Sequence, residues 1–205
     1  MDSFNALDNP FSTRHIRPGA MPFLFPSGQT LEGLLDRLRQ NDWRGEIVGR
    51  HGSGKSSLLA SLLPSIEFTG RTVAFVELHD GQRRLPLDLR ADARLHPPAI
   101  LAIDGFEQLS RWQRWSIRRF CRRRSLGLVV TSHASVGLPP LYQTQVGPQL
   151  AERVVAELLG RRPWPVSREQ LGRLLARHDG DLRETLFALY DFCEEKSSSS
   201  PGKIT

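Results

Sequence analysis

The feature that most constrains this chain is the run Gly49-Arg50-His51-Gly52-Ser53-Gly54-Lys55-Ser56, which has the spacing G-x-x-x-x-G-K-[ST]. An aliphatic segment precedes the run and a helix-forming segment follows it, so we expect a strand, a loop and a helix in that order. Glycines let backbone N–H groups converge on an anion, and a helix N-terminus adds partial positive charge. The run therefore predicts a loop that holds phosphate groups, the alternative being a chance glycine-rich turn.

The side chains of this loop have different expected roles. We expect Lys55 to reach the β- and γ-phosphates of a nucleoside triphosphate and to assist catalysis, and Ser56 to ligate magnesium. His51 stands at an unconstrained position, where it either fills the backbone cradle or acts as a catalytic group. The residues predicted to contact the nucleotide here are Gly49, Arg50, His51, Gly52, Ser53, Gly54, Lys55, Ser56 and Ser57.

A second candidate motif is an aliphatic run that ends in an acid, Ile100-Leu101-Ala102-Ile103-Asp104. A Walker B element needs such a carboxylate to hold magnesium, so Asp104 is predicted to be the metal-side carboxylate. The alternative is a solvated aspartate at a strand end. Glu107 would polarise the attacking water as a general base if the chain turns back toward the γ-phosphate. Otherwise it is a glutamate in the first turn of the next helix.

The remaining pattern predicts an α/β fold. Runs typical of buried parallel strands occur at residues 46–48, 72–78, 100–103 and 126–131. A helix is expected from Lys55 to about Leu63, where Pro64 should end it. Thr30 is the expected N-cap of an earlier helix that has its leucines on one face and ends near Asn41.

Composition divides the chain into four segments. Four prolines in residues 1–28 would interrupt any long helix, so this segment is expected to be an extended arm. Residues 29–150 carry both motifs and all the predicted strands. Residues 151–196 show helical periodicity only, with helices expected at 151–159, 167–177 and 182–194. Residues 197–205 have the composition of a disordered tail.

The predicted strand at 72–78 falls between the two motifs, and this added strand resembles the additional-strand P-loop NTPases. The similarity is strongest to the AAA+ ATPases and the related STAND ATPases. The NACHT branch of the STAND class has an Asp-Gly-hydrophobic-Glu stretch like Asp104-Gly105-Phe106-Glu107, which departs from the adjacent Asp-Glu pair usual in AAA+ proteins. The resemblance covers about residues 31–194. It implies a three-layer P-loop NTPase fold with a mostly parallel sheet, a small C-terminal helical lid, and binding of ATP with Mg²⁺.

Two further segments resemble the nucleotide sensors of this class. Thr131-Ser132-His133 follows the last predicted strand, where the class has its sensor 1, so Thr131, or alternatively Ser132, would contact the nucleotide. STAND proteins commonly carry arginine where His133 stands. Gly180-Asp181-Leu182-Arg183 resembles the sensor 2 segment of AAA+ lids, which implies that Arg183 reaches the nucleotide. Alternatively, Thr131 and Ser132 are plain strand-end residues, and Arg183 is a surface arginine near a helix N-terminus.

Arginine supplies most of the positive charge of this chain, whose formal net charge is +6. The segment 111–124 is predicted to be a helix with one basic face, formed by Arg111, Arg114, Arg118 and Arg122. Trp115 lies near them, so the helix would bind nucleic acid or an acidic protein, a solvated face being the alternative. No apolar run suits a membrane helix, and neither cysteine has metal or redox spacing. We therefore expect a cytoplasmic protein without a membrane partner.

These observations favour an ATPase of AAA+/STAND type that couples nucleotide binding or hydrolysis to lid closure, with nucleic acid or a protein as candidate partner. A homo-oligomer with an arginine finger remains open. ATP is favoured over GTP because the chain lacks an Asn/Thr-Lys-x-Asp stretch. The alternatives are a small-molecule kinase, with the Arg83-Arg84 loop near its acceptor, and a nucleotide-binding scaffold with little turnover.

Overall fold

The structure of the chain is a computed structural model that describes residues 9–26 and 28–198. Its helices are α1 (Thr13–Ile16), α2 (Leu31–Gln40), α3 (Lys55–Glu67), α4 (Arg111–Arg123), α5 (Pro148–Leu159), α6 (Arg168–Arg177) and α7 (Leu182–Ser198). Its strands are β1 (Arg44–Gly49), β2 (Thr72–Glu77), β3 (Ala99–Asp104), β4 (Gly127–Ser132) and β5 (Pro140–Thr144). A short 3-10 turn, Phe106–Gln108, follows β3.

The strands of the described residues form one parallel sheet in the order β2-β3-β4-β1-β5. β4 therefore lies between β1, which leads into the glycine-rich loop, and β3, which ends at Asp104. Ile47 pairs with Thr131, and Ile103 with Val130, so the three strands finish at one edge. Every residue of β3 and β4 is buried, as expected for parallel strands covered on both faces. The predicted α/β class with a parallel sheet is confirmed.

The helices beside the sheet follow the predicted apolar periodicity. The Thr30 hydroxyl accepts a hydrogen bond from the Gly33 N–H at 3.1 Å, so the predicted N-cap of α2 is present. Leu34, Leu35 and Leu38 of this helix are buried. The periodicity of the leucines therefore identified the buried face correctly.

The predicted end of α3 at Pro64 is wrong, because the helix continues to Glu67. A proline inside a helix lacks one N–H and crowds the preceding turn, at a cost of about 3 kcal/mol. The last turn buries Ile66 completely, and full burial of such a side chain contributes about 1.5–3 kcal/mol. The N–H of Phe68 also donates to the Pro64 carbonyl at 2.9 Å. Burial thus largely offsets the local preference of proline.

The strand β5 was not predicted. Its sequence Pro-Leu-Tyr-Gln-Thr is short and half polar, and only Leu141 and Thr144 are buried. β5 pairs with β1 alone and is an edge strand of the sheet. Pro140 is its first residue, a position that tolerates proline although proline has no N–H to donate to the neighbouring strand. A short edge strand of this kind gives little periodic signal.

The described residues divide into two units. The sheet unit comprises residues 25–26, 28–50 and 55–144, and the helical unit comprises residues 9–24, 51–54 and 145–198. In the helical unit, α5, α6 and α7 surround the completely buried ring of Phe11. The side chain of Asn9 donates to the Tyr190 carbonyl at 3.2 Å and to Oε1 of Glu194 at 2.9 Å. The domain boundaries expected from the sequence remain predictions.

The helices of the helical unit begin and end close to the expected residues. α5 starts at Pro148, earlier than expected, and Ser167 with Gln170 forms a capping box for α6. α7 runs to Ser198, past the expected end at 194, so the first two residues of the predicted tail continue the helix. The rest of that tail, 199–205, and residues 1–8 of the predicted arm lie outside the described residues.

Candidate nucleotide-binding site

The glycine-rich loop joins β1 to α3 and contains two glycines in the left-handed region. Gly52 has a φ of 62° and Gly54 a φ of 89°, conformations that other residues rarely adopt. A Cβ on Gly52 would lie 1.7 Å from Oδ1 of Asp181, so no side chain fits there. The observed backbone therefore requires glycine at positions 52 and 54, as in loops that present N–H groups to an anion.

Lys55 begins α3, and its ammonium group lies against the loop. Nζ donates hydrogen bonds to the carbonyl oxygens of Gly49 at 2.9 Å and Arg50 at 2.8 Å. The residue is only 8% exposed, and Ser56 and Ser57 are half-buried in the first helical turn. The first N–H groups of a helix have no partner within the helix. Together with the ammonium group they make this end of α3 positive, which suits a polyanion.

Asp181, just before α7, contacts the tip of the glycine-rich loop, and both belong to the helical unit. Its Oδ2 lies 3.0 Å from Nδ1 of His51, and its Oδ1 accepts from the Glu184 N–H at 3.0 Å. Burial acts to raise the pKa of Asp181, but the hydrogen bonds from Glu184 and His51 outweigh it, so that the pKa lies below its ordinary value. The Asp-x-x-Glu spacing signals an N-cap, whereas the contact with His51 had no signal in the sequence.

The two residues predicted to hold magnesium and to sense the nucleotide contact each other. The Thr131 hydroxyl donates a hydrogen bond to Oδ1 of Asp104 and accepts one from the Gly105 N–H at 2.9 Å. Thr131 is completely buried and Asp104 is 8% exposed. A hydroxyl that both donates and accepts fixes the orientation of its neighbours. Thr131 therefore orients the Asp104 carboxylate at the end of β3.

A sharp turn after β3 brings Glu107 back toward the sheet edge. Gly105 has a φ of 80°, and a Cβ there would lie 2.9 Å from the Leu78 carbonyl oxygen. Glu107 follows in the 3-10 turn, and its Oε1 lies 2.9 Å from Nε2 of His133, which follows β4. Oε2 of Glu107 is buried and has no hydrogen-bond partner in the described part of the chain. The role of Glu107 as a general base stays a prediction.

The other two predicted sensor residues are oriented differently. Ser132 is buried, and its hydroxyl donates to the Ala134 carbonyl at 2.6 Å, which makes it a turn-forming residue. Arg183 is exposed in the first turn of α7, and its backbone N–H donates to the Asp181 carboxylate. Thr131 hydrogen-bonds to another predicted site residue, Asp104, whereas the hydrogen bond of the Ser132 hydroxyl goes to Ala134.

Glu46 is a second residue whose role the sequence did not reveal. It lies in β1 and is 2% exposed, yet its carboxylate accepts hydrogen bonds from Ser135 Oγ at 2.5 Å and from the N–H groups of Val136 at 2.9 Å and Leu138 at 3.2 Å. These bonds order the segment after His133. An acidic residue inside an aliphatic strand was the available signal, since a buried charge needs several donors.

Both cysteines are buried. Among the described residues, neither Cys121 nor Cys193 forms a disulfide. Burial raises the pKa of Cys121 to about 12, which keeps the thiol protonated and unreactive. Among the helices of the described residues, none combines the length and apolar character that crossing a bilayer requires.

Comparison with known proteins finds similarity in structure rather than in sequence. No family model and no curated protein sequence matches the chain. The crystal structure of Cdc6p from Pyrobaculum aerophilum superposes with a TM-score of 0.65 and 16% identity, over 93% of this chain and 66% of Cdc6p. The Walker-type ATPase PABY2304 of Pyrococcus abyssi superposes with a TM-score of 0.56 and 12% identity, over 92% of this chain and 75% of that ATPase.

The similarity to Cdc6p covers nearly the whole chain but slightly less than two thirds of Cdc6p. At such low identity it identifies the architecture and not the activity. The sheet order, the glycine-rich loop between β1 and α3, and the acidic end of β3 agree with that architecture. The chain has the fold of a P-loop NTPase of the AAA+-like class.

Proposed function

We propose that this chain is a Mg-ATP-binding ATPase of AAA+/STAND type, which couples nucleotide binding or hydrolysis to a conformational change. The observation that carries the proposal is the contact between Asp104 and Thr131. It occurs at the edge of the sheet where β1 leads into the glycine-rich loop. Two motifs that are distant in the sequence therefore share the edge at which such folds bind ligands.

The loop and Lys55 bind the triphosphate in this proposal. The backbone N–H groups of the loop and the Lys55 ammonium group would neutralise the β- and γ-phosphates, and Ser56 and Asp104 would hold Mg²⁺. These residues suit a magnesium ion because Asp104 is buried and already oriented by Thr131, so its carboxylate needs little reorganisation when the metal binds. When bound, the metal ion acts as a Lewis acid on the phosphate oxygens.

Glu107 is the proposed general base for hydrolysis. Its Oε2 is buried without a partner in the described residues, a situation that a bound water would relieve. As the water oxygen forms its bond to the γ-phosphorus, Glu107 takes the water proton and the bond to the bridging oxygen breaks, releasing ADP. His133, which lies 2.9 Å from Oε1, keeps the carboxylate in one orientation.

The conformational readout is assigned to the helical unit. Arg183 is exposed in the first turn of α7 and is the proposed sensor of the γ-phosphate. Asp181 precedes it and contacts the tip of the loop through His51. A change at the loop tip on nucleotide binding would therefore act directly on the start of α7.

A nucleotide-binding scaffold with little turnover is the second candidate. The contact between Glu107 and His133 favours it, because Oε1 of Glu107 already has a polar partner at 2.9 Å. In this case the chain would bind Mg-ATP with the same residues and would change conformation on binding alone. The two candidates differ only in the rate of the chemical step.

Single-turnover hydrolysis, with enzyme in excess over ATP, separates the two candidates. We expect Glu107→Gln to slow hydrolysis by about 100-fold or more while ATP affinity is retained. Glu157→Gln, the same change at an exposed position of α5, should leave the rate unchanged. Equal rates in wild type and Glu107→Gln would remove Glu107 as the base. Binding without hydrolysis in the wild type would establish the scaffold.

A further inference from the structure

A cavity of about 510 Å³ opens on the surface of the sheet unit, and its lining residues differ from those assigned to ATP. Its lining residues are Arg83, Arg84, Ser110, Trp112 and Gln113. Arg83 and Arg84 come from the segment that follows β2, and the others come from the N-terminal end of α4. The volume falls within the range of about 300–1,000 Å³ that is usual for ligand sites. We call this feature the basic pocket.

The exposed face of α4 continues from the basic pocket and differs from the one expected. Arg118 donates to the Val136 carbonyl at 2.6 Å and Arg114 is half-buried, so two of the four arginines of the predicted basic face are partly withdrawn from solvent. Trp112 and Trp115 are instead exposed, at 67% and 54%. The guanidinium of Arg119 lies 5.5 Å from the centre of the Trp115 ring. The outward surface of α4 therefore combines indole rings with arginines.

We propose that the basic pocket, which includes Trp112, and the nearby Trp115 bind single-stranded nucleic acid. Two exposed indoles on one helix are costly in water unless a partner covers them. Arginines supply positive charge for phosphates, and α4 contains no acidic residue to oppose it. Exposed aromatic rings beside cationic groups form the usual surface on which unpaired bases stack.

The spacing of the indoles favours a single strand over other polyanions. Trp112 and Trp115 are three residues apart, which is about 4.5 Å along a helix axis, and neighbouring bases of one strand are spaced at about 3.4 Å or more. Bases in a duplex are covered by their own neighbours, so their faces are not available to an indole. An acidic peptide would satisfy the arginines but has no planar groups for both rings.

Two hydrogen bonds join residues 80–83, which lead into one side of the basic pocket, to residues 108–110, which follow Glu107 in the chain. The Ser110 N–H donates to the Arg83 carbonyl at 3.3 Å, and the Gln108 side chain donates to Oδ1 of Asp80 at 2.8 Å. Gln108 directly follows Glu107 in the chain. A strand bound in the pocket would therefore alter hydrolysis. This effect rests on the proposed function, whereas the binding itself does not.

Fluorescence anisotropy with labelled oligothymidylate, at several salt concentrations and without ATP, tests the binding. A length of about 20 nucleotides exceeds one expected site. Trp112→Ala should raise Kd about tenfold without changing its salt dependence. Arg83→Ala/Arg84→Ala should raise Kd and reduce the slope of log K against log salt by about 1.4, for two lost phosphate contacts. Arg173→Ala/Arg177→Ala removes the same charge from the exposed side of α6 and should change Kd little.

Several results would overturn the proposal. The first is an absence of oligonucleotide binding by the wild type, and the second is an equal loss of affinity in the pocket variants and the control variant. The third is duplex binding that is as tight as single-strand binding and insensitive to Trp112→Ala. The fourth is binding of polyglutamate in place of the oligonucleotide. ATP hydrolysis with and without the oligonucleotide is measured separately. Binding without stimulation would contradict only the link to Glu107, and a failure of hydrolysis would leave the binding result unaffected.

Discussion

The ends of β3 and β4 and the basic pocket belong to the same sheet unit but satisfy their polar groups in opposite ways. Thr131 and Asp104 are buried and bonded to each other. In the basic pocket, Arg83, Arg84 and Trp112 face solvent. The first arrangement fixes a geometry before any ligand arrives, and the second leaves its groups available to a partner. Substitutions in the first region should therefore cost stability, and those in the second should cost binding alone.

The largest stability effect is expected for Gly105→Ala. The alanine would adopt a positive φ, at about 1–2 kcal/mol, and its Cβ would press on the Leu78 carbonyl, at about 1–3 kcal/mol more. Gly70→Ala is the matched control, since Gly70 has a φ of 82° and its Cβ would meet nothing within 4 Å. Urea unfolding of both variants gives the difference. If Gly105→Ala and Gly70→Ala lost the same unfolding free energy, Leu78 would not constrain the turn after β3.

A smaller loss is expected for Thr131→Val, which keeps the side-chain shape and removes the hydroxyl. Asp104 and the Gly105 N–H would each lose a partner in a buried place, at about 1–3 kcal/mol in total. Thr185→Val is the control. It removes the hydrogen bond from the Thr185 hydroxyl to the Asp181 carbonyl, but that carbonyl still accepts a hydrogen bond from the backbone N–H of residue 185. If the two variants unfold at the same urea concentration, Thr131 does not orient Asp104.

Asp181 is expected to make the free energy of unfolding depend on pH, by less than about 1 kcal/mol. Its pKa is lower in the folded protein than in the unfolded chain, so its charge stabilises the fold at pH values above the ordinary carboxyl pKa. This stabilisation is lost as pH falls through the lowered pKa. Asp181→Asn retains a side chain that can cap α7 but removes the charge. The difference in unfolding free energy between the variant and wild type should shrink in acid, and a constant difference would contradict the assignment.

The smallest stability effect is expected for Trp112→Ala. The indole is 67% exposed and covers little of the core, so the unfolding free energy should change by less than about 0.5 kcal/mol. Trp112 would then differ sharply from Thr131, since its loss would affect oligonucleotide binding only. A loss of stability as large as that of Thr131→Val would show that the ring supports the fold instead of serving a partner.

The sequence predicted the parts of the site that local patterns determine. The glycine-rich loop has fixed spacing, and two of its glycines, Gly52 and Gly54, are needed for the backbone itself. The strand that ends at Asp104 is a continuous aliphatic run because it is covered on both faces. The sequence also indicated the turn that precedes Glu107, because Gly105 can adopt the left-handed conformation that the turn requires.

The parts that the sequence did not predict depend on tertiary contacts. Pro64 continues a helix because Ile66 is buried by distant residues. Asp181 approaches His51 from the far end of the chain, and Arg118 turns inward to a carbonyl that follows β4. Helical spacing shows which residues share a face, but only the packing decides which face is covered. For this reason the exposure of Trp112, beside the expected Trp115, became evident only in the structure.

Calorimetric titration of Mg-ATP into wild type and Lys55→Ala tests the central claim, that the loop from Gly49 to Ser56 binds the nucleotide. The account predicts binding by the wild type and an affinity at least about tenfold weaker for the variant, since a charged hydrogen-bonding group is lost. Arg173→Ala, which removes an exposed charge from α6, should bind as the wild type does. Equal affinity in wild type and Lys55→Ala would contradict the account.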